Sequence, residues 1–470
     1  RHLFHGYANR SIIKKSLYMD NLQTNIAVVT QQRAKHTKTR YYILAMIFLV
    51  TAFNYGDRAT LSMAATPMSH ELGIDSVTMG YIFSAFAWAY VIGQIPGGWL
   101  LDKFGARRVY FWSLFLWSLF TVLIGFTDIL GDTATIITSL FVLRFLVGLS
   151  ESPAFPGNSK IAAAWFPTKE RGTAAAIFNS SSYFSTVLFA PLMGWLVATV
   201  HWQSIFWVMG GLGIILSFIW LKVIYSPTNH PTVNPEEVKY IASEGALLDM
   251  GENSQNAKKE KITWSKVKQL LASRMMLGIF IGQYCVNTLT YFFLTWFPVY
   301  LVKERHLSIL EAGFAAVAPA LCGFIGGILG GLISDKLIRM NYSLSFSRKL
   351  PIVVGFLVST SIILCNYVDS QAAIVFFMSL SFFGKGIGSL GWAVMSDVAP
   401  KEMVGLSGGM MNAFGNTAGI VTPIVIGYIL ASTGSFNLAL TYVGIHAIAA
   451  VICYTVIVGK IQRFELKPTS

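Results

Sequence analysis

The stretch 98-GWLLDKFGARR-108 returns in the second half of the chain as 331-GLISDKLIRM-340. Both copies fit the frame Gly-x-(Leu/Ile)-x-Asp-Lys, and their starting positions differ by 233, about half of the 470 residues. Each copy follows an apolar segment and opens a basic loop. A repeat of half-chain length predicts two similar halves that are related as parallel repeats within a membrane.

The composition supports a membrane location. Of the residues, 54% are hydrophobic and only 12% are charged, and the mean hydropathy is +0.58. A soluble domain carries about a quarter charged residues, so this chain is expected to cross the membrane many times. The net charge of +13 comes from Lys and Arg in loops between apolar segments, where they act as orientation signals, and no nucleic-acid partner is expected. The four cysteines lie in apolar segments without metal-ligand spacing, so neither a metal nor a cofactor is expected.

The apolar segments give the number of spans. A transmembrane helix needs about 20 apolar residues. We therefore predict an all-α membrane protein with twelve transmembrane helices in two six-helix, pseudo-symmetric halves. The predicted spans are 41–66, 77–101, 108–129, 134–156, 172–199, 203–224, 275–302, 310–335, 349–368, 371–397, 403–431 and 435–459. The corresponding division is a tail over 1–40, halves over 41–224 and 275–459, an inter-half loop over 225–274 and a tail over 460–470.

Basic and non-basic loops alternate along the chain. The basic ones are the N-terminus, 102–108, 158–171, 225–274, 335–349 and 459–467, and the others are nearly free of Lys and Arg apart from 303-KERH-306. The positive-inside rule therefore predicts that both termini and the inter-half loop are cytoplasmic. The loop is expected to be mainly a tether with two short helices at the membrane surface, one capped by Asn234 and Pro235 and one over 263–274.

The chain begins with Arg1, and Met19 is an alternative start.

Ionisable residues interrupt the predicted spans. A charge at the bilayer centre costs roughly 2.5–3.5 kcal/mol even on a lenient scale, so each such residue needs a partner or water. Several of them in one chain predict a polar, positively biased cavity between helices, as in a membrane transporter. The five residues are Asp57, Arg58, Arg144, Glu151 and Lys385.

The spacing of these residues predicts which of them meet. Adjacent residues on a helix point about 100° apart, so Asp57 and Arg58 are not expected to form a salt bridge with each other, although a structural pair that locks two helices is the alternative. Arg144 and Glu151 are seven residues apart, which is two turns of one helix. They are expected to form a breakable pair, and a permanent buried bridge is the alternative.

Two stripes of polar residues are predicted in the second half. Lys385, Ser389 and Trp392 stand at i, i+4 and i+7 and should line one wall, unless Lys385 extends to the membrane interface. A stripe in the seventh span should also face inward, and it consists of Tyr284, Asn287 and Tyr291.

Five segments carry a resemblance to a known family. They are 53-FNYGDRATLS-62, 83-FSAFAWAYVIGQIPGGWLLDKFGARRVYFWS-113, 144-RFLVGLSESPAFPGNSK-160, 283-QYCVNTLTYFFLTWFPVYL-301 and 384-GKGIGSLGWAVMSD-397. They resemble the anion:cation symporter family of the major facilitator superfamily, and within it the bacterial glucarate/galactarate transporters. The resemblance covers roughly residues 40–467. It implies the superfamily fold, a place in the bacterial inner membrane and symport of a sugar-acid anion with protons by a single subunit.

The resemblance also implies roles for particular residues. Arg58 would bind the substrate carboxylate, Asp57 and Glu151 would carry protons, and Arg144 would be the partner of Glu151. Related glucarate-type sequences tend to carry Gln where this chain has Ser182, and serine cannot make the same amide contacts. The full set of predicted substrate-binding residues is Arg58, Tyr55, Tyr90, Lys385, Ser389, Trp392, Asn412, Asn287 and Ser182.

The expected substrate is the aldarate D-glucarate or galactarate. The alternatives are a monoacid of the galactonate or glycerate type, an exchange mechanism and coupling to sodium. Titratable carboxylates and the repeat disfavour a passive channel. The sequence shows neither a nucleotide-binding loop nor a metal-ligand cluster, so no enzymatic activity is predicted.

Overall fold

The structure is a computed structural model, and it describes residues 37–248, 250, 264–400 and 403–466. The predicted tail up to residue 36, with Met19, lies outside the described residues, as do 249 and 251–263 of the inter-half loop and the last four residues. Within the described ranges, every regular element is helical.

The helices of the N-terminal half and the inter-half loop follow one another with short connections. They are α1 (Thr39–Leu72), α2 (Ser76–Phe104), α3 (Ala106–Ile124), α4 (Thr133–Glu151), α5 (Ala154–Trp165), α6 (Thr168–Thr199) and α7 (Gln203–Val223), then α8 (Pro235–Ser243) and α9 (Trp264–Ala272) in the loop.

The C-terminal half contains more interruptions. Its helices are α10 (Arg274–Thr295), α11 (Phe297–Lys303), α12 (Ile309–Ala315), α13 (Val317–Arg339), α14 (Leu344–Ser359), α15 (Gln371–Gly388), α16 (Gly391–Val398), α17 (Val404–Asn416), α18 (Ala418–Thr433) and α19 (Asn437–Ile452). A 3₁₀ segment over Thr360–Tyr367 extends α14, and a π-helical turn over Cys453–Ile457 extends α19.

Eleven helical stretches in the described part of the chain are long and apolar enough to cross a membrane. The first helix, α1, is not one of them, although it has 34 residues. Its charged residues, Asp57 and Arg58 among them, lower its hydropathy. With α1 as the twelfth span, the predicted all-α fold in two halves is confirmed.

The fourth span ends later than predicted. The sequence indicated a basic loop over 158–171, whereas the helical structure continues through α5 to Trp165. The ammonium of Lys160 lies 2.9 Å from Asp102 Oδ1. The positive charge of Lys160, which suggested a loop, is therefore compensated by Asp102 of the first copy of the repeated motif.

The two copies of the motif also make related local structures. A residue with positive φ follows the helix in each copy, Gly105 at +82° and Asn341 at +61°. Asp335 of the second copy lies 3.4 Å from the guanidinium of Arg348, as Asp102 of the first copy lies close to a lysine. The predicted loop 335–349 shrinks to the four residues between α13 and α14.

At the end of the molecule opposite the motif, the two halves pack backbone against backbone. A Cβ on Gly80 of α2 would lie 2.6 Å from Pro423 O of α18, and one on Gly313 of α12 would lie 2.6 Å from Ala190 O of α6. Glycine has no Cβ, so the helices approach each other closely here. This end of the molecule is therefore closed.

The inter-half loop packs on the N-terminal half. Helix α8 begins as predicted, with Asn234 as the N-cap and Pro235 in the first turn. Glu237 is fully buried and accepts a hydrogen bond from Arg40 Nη1 at 3.2 Å. Arg40 also pairs with Glu170 of α6 at 3.2 Å. The polar face of α8 thus binds to protein, which the prediction of a helix at the membrane surface did not include.

Candidate functional site

A cavity of about 900 Å³ lies between the two halves. Its wall reaches Thr173 and Asp335 towards the end that carries the basic loops, whereas the opposite end is closed. The nine residues predicted to bind substrate all lie on this wall: Tyr55, Arg58, Tyr90, Ser182, Asn287, Lys385, Ser389, Trp392 and Asn412.

Arg58 is the cation of the N-terminal side of the wall. Its Nε donates to Glu151 Oε1 at 2.6 Å, and its Nη2 contacts the same oxygen. Its guanidinium carbon lies 4.8 Å from the ring centre of Tyr55 and 4.9 Å from that of Tyr90. Aromatic faces and a carboxylate both stabilise a buried cation, so Arg58 is held in place while it still reaches the cavity.

The predicted pairing of Arg144 with Glu151 is wrong in this structure. Glu151 pairs with Arg58, and Arg144 Nη2 donates to the backbone oxygen of Arg58 at 3.3 Å. Seven residues on one helix are separated by about 10.5 Å along its axis, whereas Arg58 reaches Glu151 from the facing helix. Arg144 remains within electrostatic range of both Asp57 and Glu151.

Asp57 and Arg58 point to different neighbours, as their adjacent positions predicted. Asp57 is fully buried, and its Oδ2 accepts a hydrogen bond from Thr121 of α3 at 2.9 Å. Its Oδ1 has no hydrogen-bond partner among the described residues. Asp57, Arg144 and Glu151 therefore lie behind the cavity wall, and Arg58 alone of these four residues lines it.

Lys385 is the cation of the C-terminal side of the wall. It is 9% exposed, and within the described ranges no carboxylate lies within 4 Å of its ammonium. The ammonium lies 5.0 Å from the ring centre of Phe382 and 5.5 Å from that of Tyr183, which belongs to the other half. Lys385 therefore does not extend to the membrane interface, which was the alternative considered for it.

The helix that carries Lys385 is interrupted. The spacing argument assumed one continuous helix through Ser389 and Trp392, but α15 ends at Gly388 and α16 begins at Gly391. Ser389 Oγ donates to the backbone oxygen of Lys385 at 2.6 Å, which satisfies a carbonyl at the helix end. All three residues nevertheless line the cavity.

The stripe predicted in the seventh span is rotated. Asn287 and Tyr291 line the cavity, but Tyr284 packs against His446 with ring centres 5.8 Å apart. Gln283 takes the place of Tyr284 on the wall. Residues 283, 287 and 291 repeat every four positions, and that spacing is as compatible with one helix face as the predicted set.

Sequence reasoning missed several polar residues of the site. Tyr183 faces Lys385 across the cavity, and Asn416 lies on the wall beside Asn412. Gln94 accepts a hydrogen bond from Asn412 at 3.2 Å. These residues are neutral and occur in otherwise apolar segments, so charge patterning could not reveal them.

The fold and the charged cavity between two repeats define a membrane transporter. The family model of the Major Facilitator Superfamily matches residues 47–388, and the chain belongs to that superfamily. Among solved structures, a D-xylose-proton symporter has the same fold, with a TM-score of 0.67 at 14% identity over 89% of this chain and 98% of that one.

Curated relatives are similar over almost their whole length. The chain is 62% identical to a protein of Escherichia coli (strain K12) named "Probable galactarate/D-glucarate transporter GudP", over 93% of this chain and 97% of that protein. It is 55% identical to "Probable galactarate/D-glucarate transporter GarP" of the same strain, over 93% and 98%. A D-galactonate transporter of Escherichia coli O6:H1 is 39% identical, over 92% and 98%.

Proposed function

We propose that this transporter carries galactarate or D-glucarate together with protons across the bacterial inner membrane by alternating access. The observation that carries the proposal is the ion pair between Arg58 and Glu151 at the wall of a cavity whose other side holds the buried Lys385. The names of the relatives that are 55–62% identical support an aldarate as substrate.

The two cations suit an acid with two carboxylates. Arg58 belongs to the N-terminal half and Lys385 to the C-terminal half, and both line one cavity. A dicarboxylate that contacts both cations links the halves and favours closure around the substrate. A monoacid would satisfy Arg58 and leave Lys385 without an anion. This difference favours aldarates over galactonate-type acids.

Coupling to protons follows from the partner of Arg58. Without substrate, the carboxylate of Glu151 accepts the hydrogen bond of the Arg58 guanidinium. A substrate carboxylate would need the same guanidinium. Protonation of Glu151 removes its negative charge, so Arg58 becomes available for bidentate binding of the substrate. Proton uptake therefore precedes or accompanies substrate binding.

The charges of the site also suggest the stoichiometry. Three cations (Arg58, Arg144, Lys385) and two ionised acids (Asp57, Glu151) give the empty site a net charge of +1. Two protons raise it to +3, and a substrate dianion returns it to +1. The empty and the loaded forms then cross the low-dielectric barrier with equal charge, which avoids an additional desolvation cost.

The orientation belongs to the same proposal. The loops with excess Lys and Arg lie at the end where the cavity wall reaches Thr173 and Asp335, and the positive-inside rule places that end in the cytoplasm. Both termini are then cytoplasmic, and the described conformation is closed to the outside. A single chain contains both halves, so the working unit is a monomer.

Uptake of a panel of radiolabelled acids into proteoliposomes tests the proposal. With an imposed inward proton gradient, galactarate and glucarate should accumulate, and uptake of galactonate should be weaker. Faster uptake of galactonate than of both aldarates would contradict the substrate assignment. A strongly electrogenic response to glucarate would rule out two protons per diacid, and accumulation driven by sodium alone would rule out proton coupling.

A further inference from the structure

The ammonium of Lys385 lies close to an aromatic ring of the opposite half. The ring centre of Tyr183, which α6 contributes, is 5.5 Å away from it. The other cation of the cavity wall has a different environment, because Arg58 lies against Tyr55 and Tyr90 of its own half. The surroundings of Lys385 are therefore assembled from both halves of the molecule.

The C-terminal half holds the ring of Tyr183 in place. A Cβ on Gly323 of α13 would lie 2.7 Å from Tyr183 Cε1, so the ring occupies the space that a larger residue would need. The rings of Phe324 and Phe382 pack against it with centres 6.3 Å away. These contacts restrict the rotamer of Tyr183, so the hydroxyl at the edge of its ring has a defined position.

The hydroxyl of Tyr183 is not committed to the protein. The side chain lines the cavity, and its accessible hydroxyl makes no hydrogen bond to any residue that the structure describes. Two neighbouring hydroxyls differ in this respect. Ser389 donates to the backbone oxygen of Lys385 at 2.6 Å, and Ser182 donates to that of Asn179 at 3.1 Å. A hydroxyl has one proton to donate, so Tyr183 is better able than either serine to donate to a ligand.

An anion can use the ammonium and the hydroxyl together. Both groups belong to residues that line one cavity, and they form no hydrogen bond with each other in the described structure. A carboxylate has two oxygens, so one can accept from Lys385 while the other accepts from Tyr183, each at about 2.7–2.9 Å. Hydrogen bonds to an ionised acceptor are roughly twice as strong as neutral ones, so a carboxylate gains more here than a sugar hydroxyl does.

We propose that Tyr183 determines substrate specificity by donating its hydroxyl to the carboxylate that Lys385 binds. The second carboxylate of an aldarate is then bound by one residue from each half, whereas Arg58 of the N-terminal half binds the first. The inference rests on the proposed function, because it names a further contact of the same substrate. It makes recognition of the second carboxylate dependent on both halves at once.

Tyr183→Phe tests the proposal, because it keeps the ring beside Lys385 and removes only the hydroxyl. Calorimetric titration of the purified proteins gives the Kd of galactarate and of galactonate. We expect the Kd of galactarate to rise about tenfold and that of galactonate to rise by less than about twofold. Tyr284→Phe is the matched control, because it removes a tyrosine hydroxyl beside His446, away from the cavity wall, and should change neither Kd. Unchanged thermal unfolding of Tyr183→Phe verifies its fold.

A double-mutant cycle identifies the carboxylate that the hydroxyl contacts. If Tyr183 and Lys385 bind the same carboxylate, adding Tyr183→Phe to Lys385→Ala should weaken galactarate binding by less than about twofold. A further loss of about tenfold in that background overturns the proposal. An unchanged Kd of galactarate in Tyr183→Phe, or an equal loss for both acids, also overturns it. A wild-type protein that binds neither aldarate refutes the proposed function instead.

Discussion

The N-terminal and C-terminal halves share a sequence repeat but place different ionisable residues at and behind the cavity wall. The N-terminal half contributes a compact group of buried charges, in which Arg58 pairs with Glu151 and Asp57 bonds to Thr121. The C-terminal half contributes the cation of Lys385 together with amides and hydroxyls, such as those of Asn287, Ser389, Asn412 and Asn416.

This difference indicates how the repeat has diverged. A group that must gain and lose a proton needs a buried acid with a compensating cation, and the N-terminal half supplies both. Recognition of a polyhydroxylated chain needs donors and acceptors whose charge does not change, and both halves line the cavity with such groups. We infer that proton handling belongs to the N-terminal half, whereas both halves contact the substrate, with Arg58 as the residue common to both tasks.

The largest expected effect comes from replacing Arg58. Arg58→Lys keeps the charge but loses the planar fork, so we expect kcat/KM for galactarate uptake to fall by about 100-fold or more. Arg305→Lys is the matched control, because Arg305 bonds to Tyr300 and Cys365 away from the cavity. If the two variants transport equally well, bidentate binding by Arg58 is not required.

Glu151→Gln should separate the two tasks. The neutral amide cannot hold Arg58 by charge, so substrate should still bind and exchange, but concentrative uptake at an imposed proton gradient should fall by about tenfold or more. Counterflow of labelled galactarate measures exchange, and net accumulation measures coupling. Glu71→Gln, which changes an acid bonded to Trp202 at the end of α1, is the control. Retained accumulation in Glu151→Gln would remove this residue from the coupling role.

Lys385→Ala should reveal the contribution of the C-terminal half. The second carboxylate of a diacid loses its cation, whereas a monoacid loses little, so the ratio of kcat/KM for galactarate to that for galactonate should fall by about tenfold. Lys303→Ala removes a lysine at the closed end and should leave the ratio unchanged. An equal loss for both acids in Lys385→Ala would contradict the proposed two-cation binding.

The smallest effect on transport is expected from a substitution outside the cavity. Such a substitution should change stability without changing substrate binding or proton coupling. Asp75 caps α2, and the hydrogen bond from the Thr78 amide lowers the pKa of its carboxyl. Asp75→Ala should cost about 1 kcal/mol of stability without changing KM. Because the folded-state pKa is lowered, the contribution is present at neutral pH and is lost as the pH falls through that value. Thermal unfolding of both proteins at pH 7 and pH 3.5 should show the difference shrinking; a constant difference would contradict the role of the charged cap.

The sequence was sufficient for the fold because its signals are local. Span length, loop charge and the repeated motif each depend on neighbouring residues, and even the adjacency of Asp57 and Arg58 correctly excluded their mutual pairing. The ion pair of Glu151 depends instead on which helix faces α4, and the spacing to Arg144 carries no information about α1. Sequence spacing could likewise not show that helix α15 ends at Gly388 and that a new helix begins at Gly391.

The neutral part of the site was harder to predict for a chemical reason. A buried charge needs compensation and is conspicuous in an apolar segment, whereas Gln94 and Asn416 are common helix-packing residues. The hydrogen bonds from Asn416 to Asn412 and from Asn412 to Gln94 together link the two halves, and such contacts have no counterpart in the sequence.

The backbone contact between Gly80 and Pro423 has a consequence for how this transporter could change its resting state. Main-chain atoms form part of the seal at the closed end, together with side-chain contacts between the halves such as that of Tyr81 with Tyr428, so opening this end requires the halves to separate. One added methyl group at Gly80 would act as a wedge, since it would stand 2.6 Å from a carbonyl oxygen. In the proposed alternating-access cycle, the smallest possible mutation would thus shift the balance between the two conformations, far from the residues that line the cavity.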